Sequence, residues 1–245
     1  MKDYGEDSGF IRVRVKGDFP RAGFMQFIDG GRVDAAIARE LLADPTAALV
    51  MGVDIARQGA DQSVVRFRRG LDARSIPAVK FRIPDLMLIA GRIMELVHSH
   101  SPDAVFVDST GIGWGVYDRL NQLGCPNLVG VDFGSGADRT DAANATARYA
   151  NKRAEMWGHL KEWCKAGCLP DDRALSADLT AVDYGYDATD AIRLERKDDM
   201  RKRGLASPDD GDALALTFAY PVHRRSWEED RRIEEKLARL RRRVV

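Results

Sequence analysis

The 245-residue sequence has no apolar run near the roughly 20 residues that cross a bilayer. Its first residues, "MKDYGEDSGF", lack the apolar stretch of a secretion signal. A membrane anchor is therefore not expected, and the cytoplasm is the expected location. Cysteine is scarce: three residues, an odd number, cannot form a disulfide framework. Cys164 and Cys168 fall on the same predicted helix as His159, with no second ligand pair at metal spacing, so they read as buried or indifferent thiols rather than zinc ligands. Charge of one sign is also lacking, since 38 Lys and Arg balance 38 Asp and Glu. That argues against coating nucleic acid by bulk charge. It permits a local basic face, because residues 223–245 carry nine basic against five acidic side chains. The phosphate loop G-x-x-x-x-G-K-[ST] is missing, and "GIGWG" at 111–115 is not spaced as G-x-G-x-x-G, which removes a P-loop motor and leaves no dinucleotide fingerprint there.

What is present is an ordered series of short elements. "FIRVRVKGDFP" alternates apolar and basic residues over 11–16, the period of an exposed strand. Val33, Ile37 and Leu41 predict a short helix ended by Asp44-Pro45. "ALVMGVDI" (48–55) and "AVFVD" (104–108) are continuous apolar runs, as in strands covered on both faces. Between them lie the half-exposed strand patterns "QSVVRFRRG" and "IPAVKFRI" and a helix with Leu86, Ile89, Ile93, Leu96 and Val97 on one side. A glycine turn leads to a helix over 116–123, then to the strand "NLVGVDF". Residues 134–148 read as a polar loop, followed by helices over 149–166 and 173–182, a strand-like "AIRLERK", and a last helix starting near Ser207-Pro208. In the tail, Ile233, Leu237, Leu240 and Val244 form one stripe of a charged helix. Three strands, helix, strand, helix, strand and then helices is the order of a ribonuclease H-like fold: α/β, with a mixed five-stranded sheet flanked by helices. The expected division is an attached segment at 1–46, the domain at 47–222 and the helical tail at 223–245.

In that fold Asp54 and Asp108 end neighbouring parallel strands, at the sheet edge where α/β proteins bind ligands. Strand spacing of about 4.8 Å lets both reach one site. On the last helix Asp209 and Asp212 are three apart and share a face, while Asp210 points elsewhere. Each alone has a plain role: Asp54 and Asp108 suit turn caps, and Asp209 and Asp210 suit a helix N-terminus, where the dipole favours acids. Together they repel, and a divalent cation relieves that cost. Hard oxygen donors suit Mg2+ or Mn2+. Two such ions hydrolyse phosphodiesters by activating a water and stabilising the leaving oxygen. In "VFVDSTGIGWG" the glycines then serve close passage of the backbone, and Asp108 is the working residue.

At this point "GVDIARQGADQSVV", "VFVDSTGIGWGVYDRL", "NKRAEMWGHLKEW" and "RLERKDDMRKRGLASPDDGDALALTFA" together resemble the nuclease domain of the large terminase subunit of tailed bacteriophages, over residues 48–221. "YGEDSGFIRVRVKGDFPR" resembles the stretch joining that domain to an ATPase motor. The resemblance implies an endonuclease that cuts concatemeric double-stranded DNA with two divalent metals held by an acidic triad. Asp54 and Asp108 take two of the roles. The third falls on Asp212 or Asp209, with Asp212 as the main ligand and Asp209 as its helper. Lys197, Arg201, Lys202 and Arg203, with Arg148, Lys152 and Arg153, are assigned to DNA phosphates, against a solvated loop as the plain alternative. Implied partners are the motor domain, a small terminase subunit and the capsid portal. Two rival readings stay open: an actin-like or sugar-kinase-type ATPase, and a non-catalytic module docking motor to portal.

Overall fold

A computed structural model describes residues 25–56, 62–138 and 148–224. The strand expected at 11–16, the tail stripe at 233–244 and most of the 134–148 loop lie outside those residues. The first helix is α1 (Gly30–Ala38), begun by Asp29, whose side chain accepts a hydrogen bond from the Arg32 amide. It stops before Leu41: Arg39 is already extended, and the guanidinium of Arg39 donates to the carbonyls of Cys164 and Gly167.

The central sheet holds β2 (Leu49–Asp54), β3 (Ser63–Arg69), β4 (Val79–Phe81), β5 (Ala104–Asp108) and β6 (Leu128–Val131), in the order β4-β3-β2-β5-β6. The β2–β3 and β3–β4 pairs are antiparallel, and β2–β5 and β5–β6 are parallel. This is the mixed, helix-flanked five-stranded sheet of the ribonuclease H-like fold. Alternation along the strands divides the interior into two layers. Leu49, Met51, Val53, Val105 and Val107 pack with Ile89, Ile93, Val116 and Leu120 of α2 (Leu86–His100) and α3 (Gly113–Gln122). Val50 and Phe106 join the other layer, with Leu160 of α4 (Lys152–Trp163), Leu175 of α5 (Arg173–Ala181) and Leu214 and Leu216 of the final helix. Phe27, Ile28, Val33 and Ala36 belong to this second layer too.

A second, three-stranded sheet was not expected. Its strands β1 (Met25–Gln26), β7 (Asp183–Tyr186) and β8 (Ile192–Leu194) pair antiparallel in the order β1-β7-β8. The strand in "AIRLERK" is only its first half. The chain then forms a short helix, α6 (Lys197–Lys202), where the sequence suggested a basic loop.

The final helix, α7 (Asp209–Leu216), is fixed on β2 and β3 by three devices. First, Gly52 lets it approach: a Cβ there would strike the Ala213 carbonyl oxygen and lie 3.1 Å from Thr217 Cγ2. Second, ion pairs and hydrogen bonds hold both ends to β3. The Arg66 guanidinium meets Asp210 Oδ1 at 2.6 Å and Asp172 Oδ2 at 2.5 Å, and Lys80 also pairs with Asp210. At the other end Arg68 donates to Thr217 Oγ1 and to its carbonyl, at 3.0 and 2.6 Å. Third, the cap comes from another helix. Ser207 does not cap α7; instead Asp178 Oδ2 in α5 accepts from the amides of Asp210 and Gly211, at 2.9 and 3.2 Å. Burial pushes the Asp178 carboxyl up to about 7, although the Gly211 amide holds it down, and the charge of Asp210 raises it further.

Gly52→Ala is expected to lift α7 off the sheet and cost about 1–3 kcal/mol, as for overpacked cores. At about 2–4 °C of Tm per kcal/mol in a chain of this size, calorimetry should register a clear drop. An unchanged Tm would mean that α7 does not sit this close to β2. Asp178 keeps its proton to higher pH when folded, so its contribution to stability is full below its ordinary value of 3.8 and is lost as pH rises toward about 7. Asp178→Asn keeps an acceptor for the two amides but cannot ionise. The Tm of the wild type relative to this variant should therefore fall between pH 4 and pH 7; a constant difference would contradict the assignment.

Candidate metal centre

Strand parity brings the acidic residues together. Val53 lies beside Val107 in the parallel β2–β5 pair, so Asp54 and Asp108 are the next residues at the same sheet end. Asp54 shares its face with Val50 and Gly52, and Asp108 with Phe106, so both lie on the α7 side of the sheet. On α7, Asp209 and Asp212 are one turn apart. All four carboxylates are withdrawn from water, from 0% exposure at Asp212 to 8% at Asp108 and Asp209. Asp108 is also the turn residue expected of it: its Oδ1 accepts from the Thr110 amide at 2.8 Å. Behind it the glycine turn folds tightly, and a Cβ at Gly113 would strike the Asp108 carbonyl oxygen.

Lys197, at the start of α6, lies inside this group. Its Nζ is 3.0 Å from Asp212 Oδ2, 3.3 Å from Asp54 Oδ2 and 3.5 Å from Asp209 Oδ1. Arg153 of α4 is the second cation present, its Nε 2.8 Å from Asp212 Oδ1. Four carboxylates thus face two cations. Burial raises the Asp54 carboxyl well above its usual range; Lys197 pulls it back, and Asp212, Asp108 and Asp209 push it up again. Burial likewise raises Asp108, against the hydrogen bonds from Thr110. Burial acts upward on Asp212 too, but Arg153 and Lys197 outweigh it, and its carboxyl lies below the usual value. For Lys197 the penalty of burial is overcome by Asp54 and Asp212, and its amine is held protonated above the ordinary lysine value.

The donor chemistry fits a hard divalent ion: all oxygen, no thiol or imidazole. One buried oxygen, Asp212 Oδ2, has no hydrogen-bond partner and is met instead by the charge of Lys197, with Nζ at 3.0 Å. The spacing is that of carboxylates arranged around an amine. Among the described residues, no three acidic, histidine or cysteine side chains stand close enough to share one ion while Lys197 is in place.

Asp108, Asp209 and Lys197 open onto a cleft of about 590 Å3, with Asp54 and Asp212 buried behind them. Of the basic residues predicted for DNA, Lys197, Arg153 and Arg201 line it. Lys152 does not: it is 1% exposed, with Nζ 2.7 Å from Asp138 Oδ2, 2.9 Å from Glu155 Oε1 and over the Tyr220 ring. Glu155 one turn on, with Asp138 and Tyr220 from distant segments, draws it inward, and it is out of reach of a phosphate. Arg203 is tied to Asp183 and Glu195, at 2.9 and 2.6 Å. Lys202 is exposed and pairs with Asp199 one turn back, and Arg148 is exposed beside the loop. None of these three lines the cleft. The sequence reading missed Arg193 and Arg196, both exposed and on the cleft wall, and Glu195, buried in it. The signal was present in "RLERK", where charged residues flank a buried Leu194, but without the second sheet there was no side to assign them to.

No sequence-family profile matches the chain, and no curated protein matches it. Solved structures do match. The nuclease domain of the large terminase subunit gp2 of bacterial virus Sf6 is 19% identical, with a TM-score of 0.68, covering 81% of this chain and all of that one. The large terminase nuclease from thermophilic phage G20c, solved with cobalt, is 15% identical with a TM-score of 0.53, over 77% of this chain and 94% of that one. The Thermus phage P74-26 large terminase nuclease domain is 13% identical, with a TM-score of 0.52, over 77% and 93%. Mutant forms of the Sf6 domain carry manganese or calcium, and the G20c domain has also been solved with magnesium. The fold of this chain is that of the nuclease domains of phage large terminase subunits.

Proposed function

We propose that the chain is a metal-dependent endonuclease that hydrolyses phosphodiester bonds of concatemeric double-stranded viral DNA during genome packaging. The observation that carries this reading is the convergence of Asp54, Asp108, Asp209 and Asp212, from two parallel strand ends and one helix, at an arginine-walled cleft that Asp108 and Asp209 line and behind which Asp54 and Asp212 are buried. Asp54, Asp108 and Asp212 would hold the cations, with Asp209 assisting. Two ions, Mg2+ or Mn2+, would supply what these side chains lack: activation of a water and stabilisation of the leaving oxygen. The divalent ions in the similar solved domains support this dependence. Lys197 offsets the carboxylate repulsion in the absence of an ion and competes with one for the same oxygens. Arg193, Arg196 and Arg201 would bind backbone phosphates, which position a duplex without reading its sequence. By the same likeness, residues 1–46 would join the domain to an ATPase motor and 223–245 would dock a partner. A small terminase subunit and the capsid portal would complete the assembly in the host cytoplasm. Among the described residues no helix is long and apolar enough to cross a membrane.

Supercoiled plasmid should be nicked or linearised by the chain with Mn2+ or Mg2+ and left intact with a chelator. Asp54→Asn and Asp108→Asn should each abolish cutting while leaving Tm unchanged or higher, because each removes a buried like charge. Cutting that survives chelation, or either substitution, rejects the reading. DNA affinity should fall as salt rises. Alanine at Arg193, Arg196 or Arg201 should each reduce the slope of log K against log salt by about 1, equally for unrelated sequences. Unchanged slopes in all three variants would remove the cleft wall from the DNA path.

A further inference from the structure

Asp212 is held asymmetrically. Its Oδ1 accepts two hydrogen bonds from a single helix, one from Arg153 Nε at 2.8 Å and one from Trp157 Nε1 at 2.8 Å. The two donors are four residues apart on α4 and therefore stand on one face, with the guanidinium 5.7 Å from the indole centroid. Each donor is itself immobilised. Trp157 is fully buried and packs against Gly211, where a Cβ would lie 2.8 Å from Cη2. The Arg153 amide bonds to the Phe133 carbonyl at 3.1 Å, and its Nη1 to the Glu195 carbonyl at 3.0 Å. The other oxygen of the carboxylate, Oδ2, accepts no hydrogen bond and faces Lys197 Nζ.

A buried Asp–Arg pair serving stability alone would use the parallel two-bond fork that the two groups favour. Here a single bond runs through Nε, and Arg153 Nη2 and Asp212 Oδ2 are both buried without a hydrogen-bond partner. Leaving Arg153 Nη2 unmatched, and Oδ2 with only its ion pair to Lys197, forgoes the second bond of the fork. What the arrangement achieves is orientation. The terminal torsion of a carboxylate is broad, and two donors converging on one oxygen fix it. The second donor is a neutral indole, so it adds direction without adding positive charge beside the carboxylates.

We propose that Arg153 and Trp157 are positioning residues that clamp Oδ1 of Asp212, so that Oδ2 alone is presented to a divalent cation. This rests on the metal-dependent reading above. Titration calorimetry of the full chain with Mn2+ alone, without DNA, tests it. Trp157→Phe keeps the ring and deletes the N–H, and Arg153→Lys keeps the charge and deletes the fixed Nε geometry. Each should weaken Mn2+ binding about 10–100-fold, the usual effect of losing a partner of a metal ligand. Trp163→Phe is the control, since Trp163 lies on the same helix but donates to the Gly70 carbonyl, away from the acidic group; it should bind Mn2+ like the wild type. A role in packing alone would lower the Tm of the metal-free chain and leave Mn2+ affinity where it was. If Trp157→Phe does not fold, Arg153→Lys decides. Wild-type binding that is abolished by Asp54→Asn, yet unchanged in both clamp variants, overturns the clamp and spares the metal reading. So does an equal loss in Trp163→Phe. A wild-type chain that takes up no Mn2+ overturns both.

Discussion

Asp54, Asp209 and Asp212 share the amine of Lys197, at a place where each of the three residues is buried. Like charges withdrawn from water repel strongly, and most of the local architecture answers that repulsion. Lys197 reaches the group because the chain after β8 turns into α6 at that residue. Arg153 reaches it because α4 lies across the same sheet face. The opposing pKa directions of Asp54 and Asp212 express the same balance. Asp212 has two cations and an indole beside it and stays ionised, while Asp54 depends on Lys197 against three acidic neighbours. A group in this condition favours cations, and it does so before any substrate arrives.

A second network makes the first one rigid. Buried Arg66 and Asp210, with half-buried Lys80 and Asp172, form a knot on the side of α7 away from the cleft. Asp210, which pointed away from the acidic pair in the sequence, is thereby the anchor of the helix that carries them. Three acidic positions on the first turn thus have separate tasks: Asp209 and Asp212 meet Lys197, and Asp210 holds the helix down. Asp178 adds an acceptor from α5, so the helix end is capped from outside its own chain segment.

Much of this was legible in the sequence because it follows from periodicity. The apolar runs at 48–55 and 104–108 predict strands covered on both faces, and their order with the helices predicts the sheet. The acidic ends of those runs and of the last helix then predict one site. What was not legible depends on contacts between distant segments. The second sheet pairs Met25 with Tyr184 through strands of two to four residues, too short to leave a pattern. Lys152 and Arg153 are adjacent basic residues on α4 and read alike. Yet one is sealed against Asp138, Glu155 and Tyr220 while the other enters the cleft, because successive helical residues point about 100° apart. Ser207 fits the composition of a helix cap, but the acceptor that caps the helix lies about thirty residues upstream.

The alternation that places Asp54 with Val50 and Gly52, and Asp108 with Phe106, fixes chain length as firmly as it fixes chemistry. Slipping either strand by one residue would turn its carboxylate toward the apolar layer of Ile89, Ile93 and Val116, and slipping β2 would also bring a bulky side chain to the spot beneath α7 that Gly52 leaves open. Outside Gly52 and the two aspartates, a side chain on these strands can be exchanged without moving the others, but insertions and deletions must be confined to the loops that join them.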